Sequence, residues 1–195
     1  MKKITAILLT MALALSFTAC GNKPDTSSNN SQSESKASVK DALTLLNTVW
    51  DNYQEDEKFP AAGGDMTDEN MTMNAPGKFG TDDSETLDTT FGFPVASADQ
   101  IDDAASLIHM MNANTFTCGA FHVKNMENIS EITTALKDSI LHRQWVCGFP
   151  DQLVIVTIDD YIVSFFGETE IVTVFKTNLM ATFDSAQIVC DEPIE

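Results

Sequence analysis

Cys118, Cys147 and Cys190, with His109, His122 and His142, are the residues of this chain that could form a nucleophilic thiol–imidazole pair. A thiol works as a nucleophile when a helix N-terminus or a nearby cation lowers its pKa. Cys118 lies between Phe116 and Ala120 in a strand-like run, where a cysteine behaves as a small hydrophobe. Cys147 begins a Cys-Gly-Phe-Pro turn with no basic cluster beside it. A redox or enzymatic role through Cys118 or Cys147 is therefore the alternative reading, and a non-catalytic domain the principal one. A second chemically soft group is His109-Met110-Met111, followed by Asn112 and Asn114. Copper or haem would require several thioethers or imidazoles to converge. On a helix over 97–112, Met111 points inward, Met110 to the opposite side and His109 to a flank, so core and helix surface are expected there instead.

Asp65, Asp68, Glu69 and Asn70 gather oxygen ligands but lack the alternating spacing of a calcium loop, which leaves calcium open. No glycine-rich phosphate loop, Gly-x-Ser-x-Gly elbow or His-Glu-x-x-His helix occurs, so no cofactor and no metal site is expected. The aromatic residues Trp50, Phe59, Trp145 and Phe149 are the candidates for lining a ligand pocket.

The elements that must position these residues are clearest in 153–166. Leu153-Val-Ile-Val-Thr-Ile158 and Tyr161-Ile-Val-Ser-Phe-Phe166 read as two strands joined at Asp159-Asp160, and their continuous apolar character predicts cover on both faces. An apolar stripe through Val39, Ala42, Leu43, Leu46, Val49, Trp50 and Tyr53 predicts a first helix. Residues 54–80 read as a long loop. Asp82-Asp-Ser-Glu85 resembles a capping box and opens a short helix stopped by Gly92 and Pro94. Ser97 to Gln100 repeats that logic and predicts a helix to about Asn112, with Ile101, Ala104, Ala105, Ile108 and Met111 on one face. A strand over 116–123, a helix after Asn128 with Ile129, Ile132, Leu136 and Ile140 inward, a helix over 168–183 and a short strand at 188–190 complete the order.

That order is β-α-β-β-α-β, which predicts an α+β domain: a ferredoxin-like antiparallel sheet, strand order 4-1-3-2, with helices on one face and extra N-terminal helices outside. It sets the strands of Cys118 and Cys190 side by side. A Cys118–Cys190 disulfide and two buried free thiols are the alternatives.

The 195 residues carry a formal charge of −18, more negative still once Lys2 and Lys3 leave with a leader. Such a surface repels phosphate backbones, so nucleic acid is not an expected partner. Residues 1–20 have a basic start, an apolar run at 4–17 too short to span a bilayer, and Thr18-Ala19-Cys20-Gly21 at the end. This junction resembles the bacterial lipobox. The resemblance implies lipidation at Cys20, a cell-membrane anchor on the extracytoplasmic face, and two acyl chains sufficient for stable attachment. Residues 21–38 are Asn/Ser-rich and read as a disordered tether with a span of roughly 20–25 Å. Residues 39–195 form one globular domain, long enough to bury about two thirds of its unfolded surface.

Three stretches carry a wider likeness: Glu55-Asp-Glu-Lys-Phe-Pro-Ala-Ala-Gly-Gly64, Asp103-Ala-Ala-Ser-Leu-Ile-His-Met-Met-Asn-Ala-Asn-Thr-Phe116 and Arg143-Gln-Trp-Val-Cys-Gly-Phe-Pro-Asp151. They resemble uncharacterised lipoproteins of gut clostridia, a Firmicutes family sometimes labelled bacteriocin transport accessory protein. The likeness implies a membrane-anchored binding or transport-accessory domain working with a membrane transporter or another surface protein.

Overall fold

The computed structural model describes residues 39–65, 67, 69–146 and 148–195. The expected leader, tether and lipidated Cys20 lie outside the described residues, as do Asp68 and Cys147.

One antiparallel sheet organises the domain. Its long strands are β4 (Ile101–His109), β5 (Phe116–Val123), β6 (Gln152–Ile158), β7 (Tyr161–Gly167) and β8 (Gln187–Pro193). Three short ones, β1 (Ala61–Gly63), β2 (Thr72–Met73) and β3 (Gly77–Phe79), precede them. The order is β2-β1-β4-β5-β7-β6-β8, with β3 also pairing β4. Helices α1 (Ala42–Asp51), α2 (Ser84–Phe91), α3 (Ile129–Leu141) and α4 (Thr169–Thr182) pack on it.

Side-chain alternation divides the core between two faces. Ala105, Leu107, Phe116, Cys118, Val154, Val156, Val163 and Phe165 point toward α1 and α4. Ala104, Phe121, Val123, Leu153, Ile155 and Ile162 point toward α2 and α3. Both sides of the expected central hairpin are thus covered, as its unbroken apolar runs require. The hairpin turns with Asp159 in the left-handed region, φ 51°. Asp83 caps α2 by accepting from the Glu85 and Thr86 amides, and Gly92 ends it at φ 71°.

Four expectations are corrected. Residues 97–112 are not a helix: a 3-10 turn over Val95–Gln100 leads directly into β4. Ile101, Ala104, Ala105 and Ile108 match helical spacing, but Ala104 to Leu107 are all buried because successive side chains enter opposite layers. Strand β4 then occupies the edge of β5 that the ferredoxin-like order reserves for the final strand. β8 pairs with β6 instead, giving order 1-3-2-4 for the four expected strands.

The helices explain why. Crossovers β5–α3–β6 and β7–α4–β8 move the same way across the sheet, each skipping one strand, but they start from antiparallel strands. Right-handed connections then require α3 and α4 on opposite faces. That is where their buried residues lie: Ile132, Leu136 and Ile140 in one layer, Val172, Phe175 and Leu179 in the other. The expected placement of the helices on one face falls with the strand order. Residues 54–80 also carry more structure than a loop, since they contain β1, β2 and β3.

Candidate functional site

The sheet is least regular where β1, β2 and β3 meet β4. Ala62 pairs with Met73 on one side and Ile108 on the other, so these three residues form one row across β2, β1 and β4. Met71 and Met110 lie two residues from Met73 and Ile108, just outside β2 and β4, and because those strands run parallel they flank the row from opposite ends. The floor between the methionines is Ala62, Gly63 and Gly64.

That floor exists because backbone replaces side chain. A Cβ on Gly63 would meet the Gly77 nitrogen at 2.0 Å, and one on Gly64, where φ is +98°, would meet the Asn70 carbonyl oxygen at 2.1 Å. Ser106 ties the crossing together. Its buried Oγ accepts from the Gly64 amide at 2.8 Å and donates to the Gly64 carbonyl at 3.1 Å. Asp65 fixes the next turn by accepting from the Thr67 amide and hydroxyl, the Asn70 side chain and the Gly80 amide. Desolvation raises the pKa of its carboxyl, but these hydrogen bonds outweigh it and leave the group below the ordinary carboxylate value.

A cleft of about 330 Å³ results, lined by Met71, Met73, Met110 and Met111 with Ile108, His109 and the small floor. All four methionines are exposed, Met111 to 76%. The His109 ring stacks on Phe59 with centroids 5.6 Å apart, and its Nδ1 is buried without a hydrogen-bond partner.

A second cavity, about 200 Å³, opens on the other side of the β4–β5 connection and shares Ala113 with the first. It is more polar, lined by Thr89, Asn114, Thr117, Arg143, Gln144 and Trp145 among others. Asn114 donates to the Val146 and Gly148 carbonyls, both at 3.0 Å, and so fastens those two residues to this connection. The Arg143 guanidinium lies 5.3 Å from the Trp145 ring and donates to the Thr89 carbonyl. Desolvation pulls its pKa down from the ordinary arginine value. The Trp145 Nε1 is buried and unpartnered.

The four expected pocket aromatics are not brought together. Trp50 and Phe59 pack on each other at 5.1 Å in the α1 layer, where the Trp50 indole donates to the Asn74 carbonyl. Trp145 packs against Phe166 at 5.0 Å in the opposite layer. Phe149 is 67% exposed and lines neither cleft.

The Cys118–Cys190 disulfide is corrected as well. Both residues are buried free thiols. β7 and β6 separate their strands, and Cys118 faces the α1 layer whereas Cys190 faces the α3 layer. Three strand spacings amount to roughly 14 Å, twice the roughly 7 Å limit for a bridged pair of Cα atoms. Burial pushes both thiols above their ordinary pKa, the reverse of what activates a nucleophile.

The methionine cleft was missed for one reason: the helical assignment sent Met110 and Met111 to opposite sides. Met71-x-Met73 on one strand face was the signal that could have found it. Among the described residues no group of three histidine, cysteine, aspartate or glutamate side chains is placed to hold a metal, and no helix is long and apolar enough to cross a membrane. Searches of protein-family models, curated proteins and solved structures find no match to this chain.

Proposed function

We propose that this chain is a lipid-anchored extracytoplasmic binding or transport-accessory protein, attached through Cys20 and a spacer over 21–38, whose ligand enters the methionine-lined cleft of the β1–β2–β4 corner. The leader, the lipobox-like junction and the polar spacer support the anchoring. The partner in this reading is a membrane transporter or surface protein. The likeness to clostridial lipoproteins labelled as bacteriocin transport accessories supports the same role.

The observation that carries the binding reading is the exposure of Met71, Met73, Met110 and Met111 around one concave floor. Methionine is unbranched and polarizable, so a cluster of it adapts to apolar or soft ligands. At 43–76% exposed, each forgoes part of the roughly 1.5–3 kcal/mol that full burial of such a side chain is worth, which a site for an occupant explains. The competing reading, a thiol enzyme using Cys118 or Cys147, draws no support from Cys118, whose thiol is buried and hard to ionise, and Cys147 lies outside the described residues.

The test is native mass spectrometry of the protein extracted from the membranes of the cells that make it, beside Ala62→Trp, which fills the cleft floor. A bound mass on the wild type that Ala62→Trp loses is the expected outcome. An identical bound mass on both proteins, or none on either, overturns the cleft as the site. Recovery of Cys20→Ala in the membrane fraction with the processed mass of the original overturns the anchor.

A further inference from the structure

Arg143 is the single arginine of a chain in which 29 acidic residues face 11 basic ones. Lys58, Lys137 and Lys176 each meet a carboxylate. Among the described residues no carboxylate is bonded to Arg143, and Asp88 acts on it only through space. The side chain is nonetheless half-buried, on the lining of the second cavity. A cation taken out of water without a bonded counter-ion is costly, and desolvation outweighs the field of Asp88 in setting its pKa.

Its one hydrogen bond, to the Thr89 carbonyl in the last turn of α2, is a helix cap. A lysine would serve as well there. A guanidinium has five N–H donors in a planar fork that matches a carboxylate, so most of its capacity is unused. Trp145, on the same lining, carries Nε1 buried and without a partner. The guanidinium carbon lies 5.3 Å from the Trp145 ring centroid, which makes the two donors near neighbours.

We propose that this second cavity binds a small organic carboxylate, held by the Arg143 fork and the Trp145 indole, with its apolar body against Phe166 and Ala113. The site is separate from the methionine cleft and does not rest on it. Its walls are held in advance: Trp145 packs on Phe166 at 5.0 Å, and Asn114 ties down the Val146 and Gly148 carbonyls. Such preorganisation reduces the ordering that binding requires. The volume, about 200 Å³, is six or seven times the roughly 30 Å³ a water occupies in the liquid. That suits a monocarboxylate with one ring or a short chain. A chain of formal charge −18 repels multiply charged anions most, and a single arginine neutralises a single charge. Inorganic phosphate would also leave the apolar wall uncovered.

The experiment titrates the full chain in detergent with benzoate, followed by proton–nitrogen NMR. With two tryptophans and one arginine in the chain, the indole and guanidinium signals are few enough to assign by substitution. The Trp145 indole and Arg143 Nε signals are expected to move saturably. The Trp50 indole, already donating to the Asn74 carbonyl, should stay still. Benzamide keeps the shape without the charge, and phosphate the charge without the ring; each should bind about tenfold more weakly or worse. Arg143→Lys keeps a cation for the helix cap but loses the fork, and should weaken benzoate about tenfold. Gln144→Glu, at an exposed position on the lining, sets a competing carboxylate beside Arg143 and should weaken it too, even if Arg143→Lys does not fold.

No saturable shift, equal affinity for benzamide, or unchanged benzoate affinity in either folded variant overturns the site and leaves Arg143 as a cap. Phosphate binding as tightly as benzoate overturns the carboxylate assignment. Ala62→Trp fills the methionine cleft and should leave benzoate affinity unchanged; its loss there would put the acid in the other cleft and overturn this site.

Discussion

The central ribbon and the β1–β2–β4 corner belong to one sheet but are held together by different forces. In the ribbon, β5, β7 and β6 pair over seven consecutive residues on each side, and nearly every side chain is buried in one of two layers. Phe116, Phe165 and Phe175 make a mutual aromatic cluster with centroids 4.8–6.3 Å apart. At the corner the strands are two or three residues long, their best contacts are between backbones, and large apolar side chains face water. Stability is concentrated in the first region, and the proposed ligand site lies in the second. Local opening of such a corner is expected to cost less than global unfolding, so an occupant can order it without the ribbon changing.

The sharpest way to break this comparison is to truncate the ribbon's aromatic cluster. Phe165→Ala removes a fully buried ring from contact with Phe116 and Phe175. Its expected cost is about 3–5 kcal/mol in urea unfolding. A loss below about 1 kcal/mol would show that the ribbon is not where the stability lies.

Next comes Gly63→Ala. Its added Cβ would collide with backbone on β3 and with the Ser106 carbonyl at 2.7 Å, neither of which can rotate away. Overpacking of this kind costs about 3 kcal/mol. Hydrogen exchange should localise the damage: amides of β1 and β2 exchange faster, while those of β5 and β7 keep their protection relative to the global stability. Equal loss of protection in both regions would make the corner and the ribbon one cooperative unit.

Ser106→Ala is milder. It leaves the Gly64 amide and carbonyl without their buried partner, at an expected cost of about 1–3 kcal/mol. Ligand binding at the cleft should suffer more than the melting temperature does. A variant with wild-type binding and lowered melting would mean that Ser106 supports the sheet and not the site.

The same division governs how much was legible in the sequence. Residues 153–166 could be read because β-branched and aromatic residues in unbroken runs have few other homes. The capping of α2 by Asp83 and its stop at Gly92 are local chemistry, and local chemistry is visible in a single sequence. The corner is not local. Gly63 is required by the backbone of Gly77 and Ser106, which lie in other strands, and a glycine whose Cβ is forbidden by a distant strand carries no periodic signal. Strand β4 was mistaken for a helix because alanine and serine, chosen for close packing, carry little strand preference. That error displaced β8 from its expected edge and separated Met110 from Met111 in the reading. The candidate site was lost with the strand.

The smallest expected effect lies at the far end of β4, roughly 25 Å from Met110 at the usual rise per residue. There His122 on β5 bridges Asp102 on β4, Nδ1 to Oδ1 at 2.5 Å, and Asp160 in the β6–β7 turn, Nε2 to Oδ2 at 3.1 Å. Burial alone would lower the imidazole pKa, but hydrogen bonds to Asp102 and Asp160 and the charges of both carboxylates together raise it above 6.5. The neighbouring Tyr161 ring, 5.0 Å away, stays neutral, because burial and then the surrounding carboxylates push its hydroxyl up to about 12. A histidine with a raised folded-state pKa adds stability fully present below about pH 6.5 and lost as pH rises through the folded value. The side chains are partly solvated, so the bridge is expected to contribute about 0.2–1 kcal/mol. Asp102→Asn should lower the NMR titration midpoint of His122 and flatten the pH dependence of stability above pH 6.5. It should leave the chemical shifts of Met71, Met73, Met110 and Met111 where they are. Movement of those methyl signals as His122 titrates would mean that the charged clamp and the methionine corner communicate through β4, and the two ends of the sheet would no longer be independent.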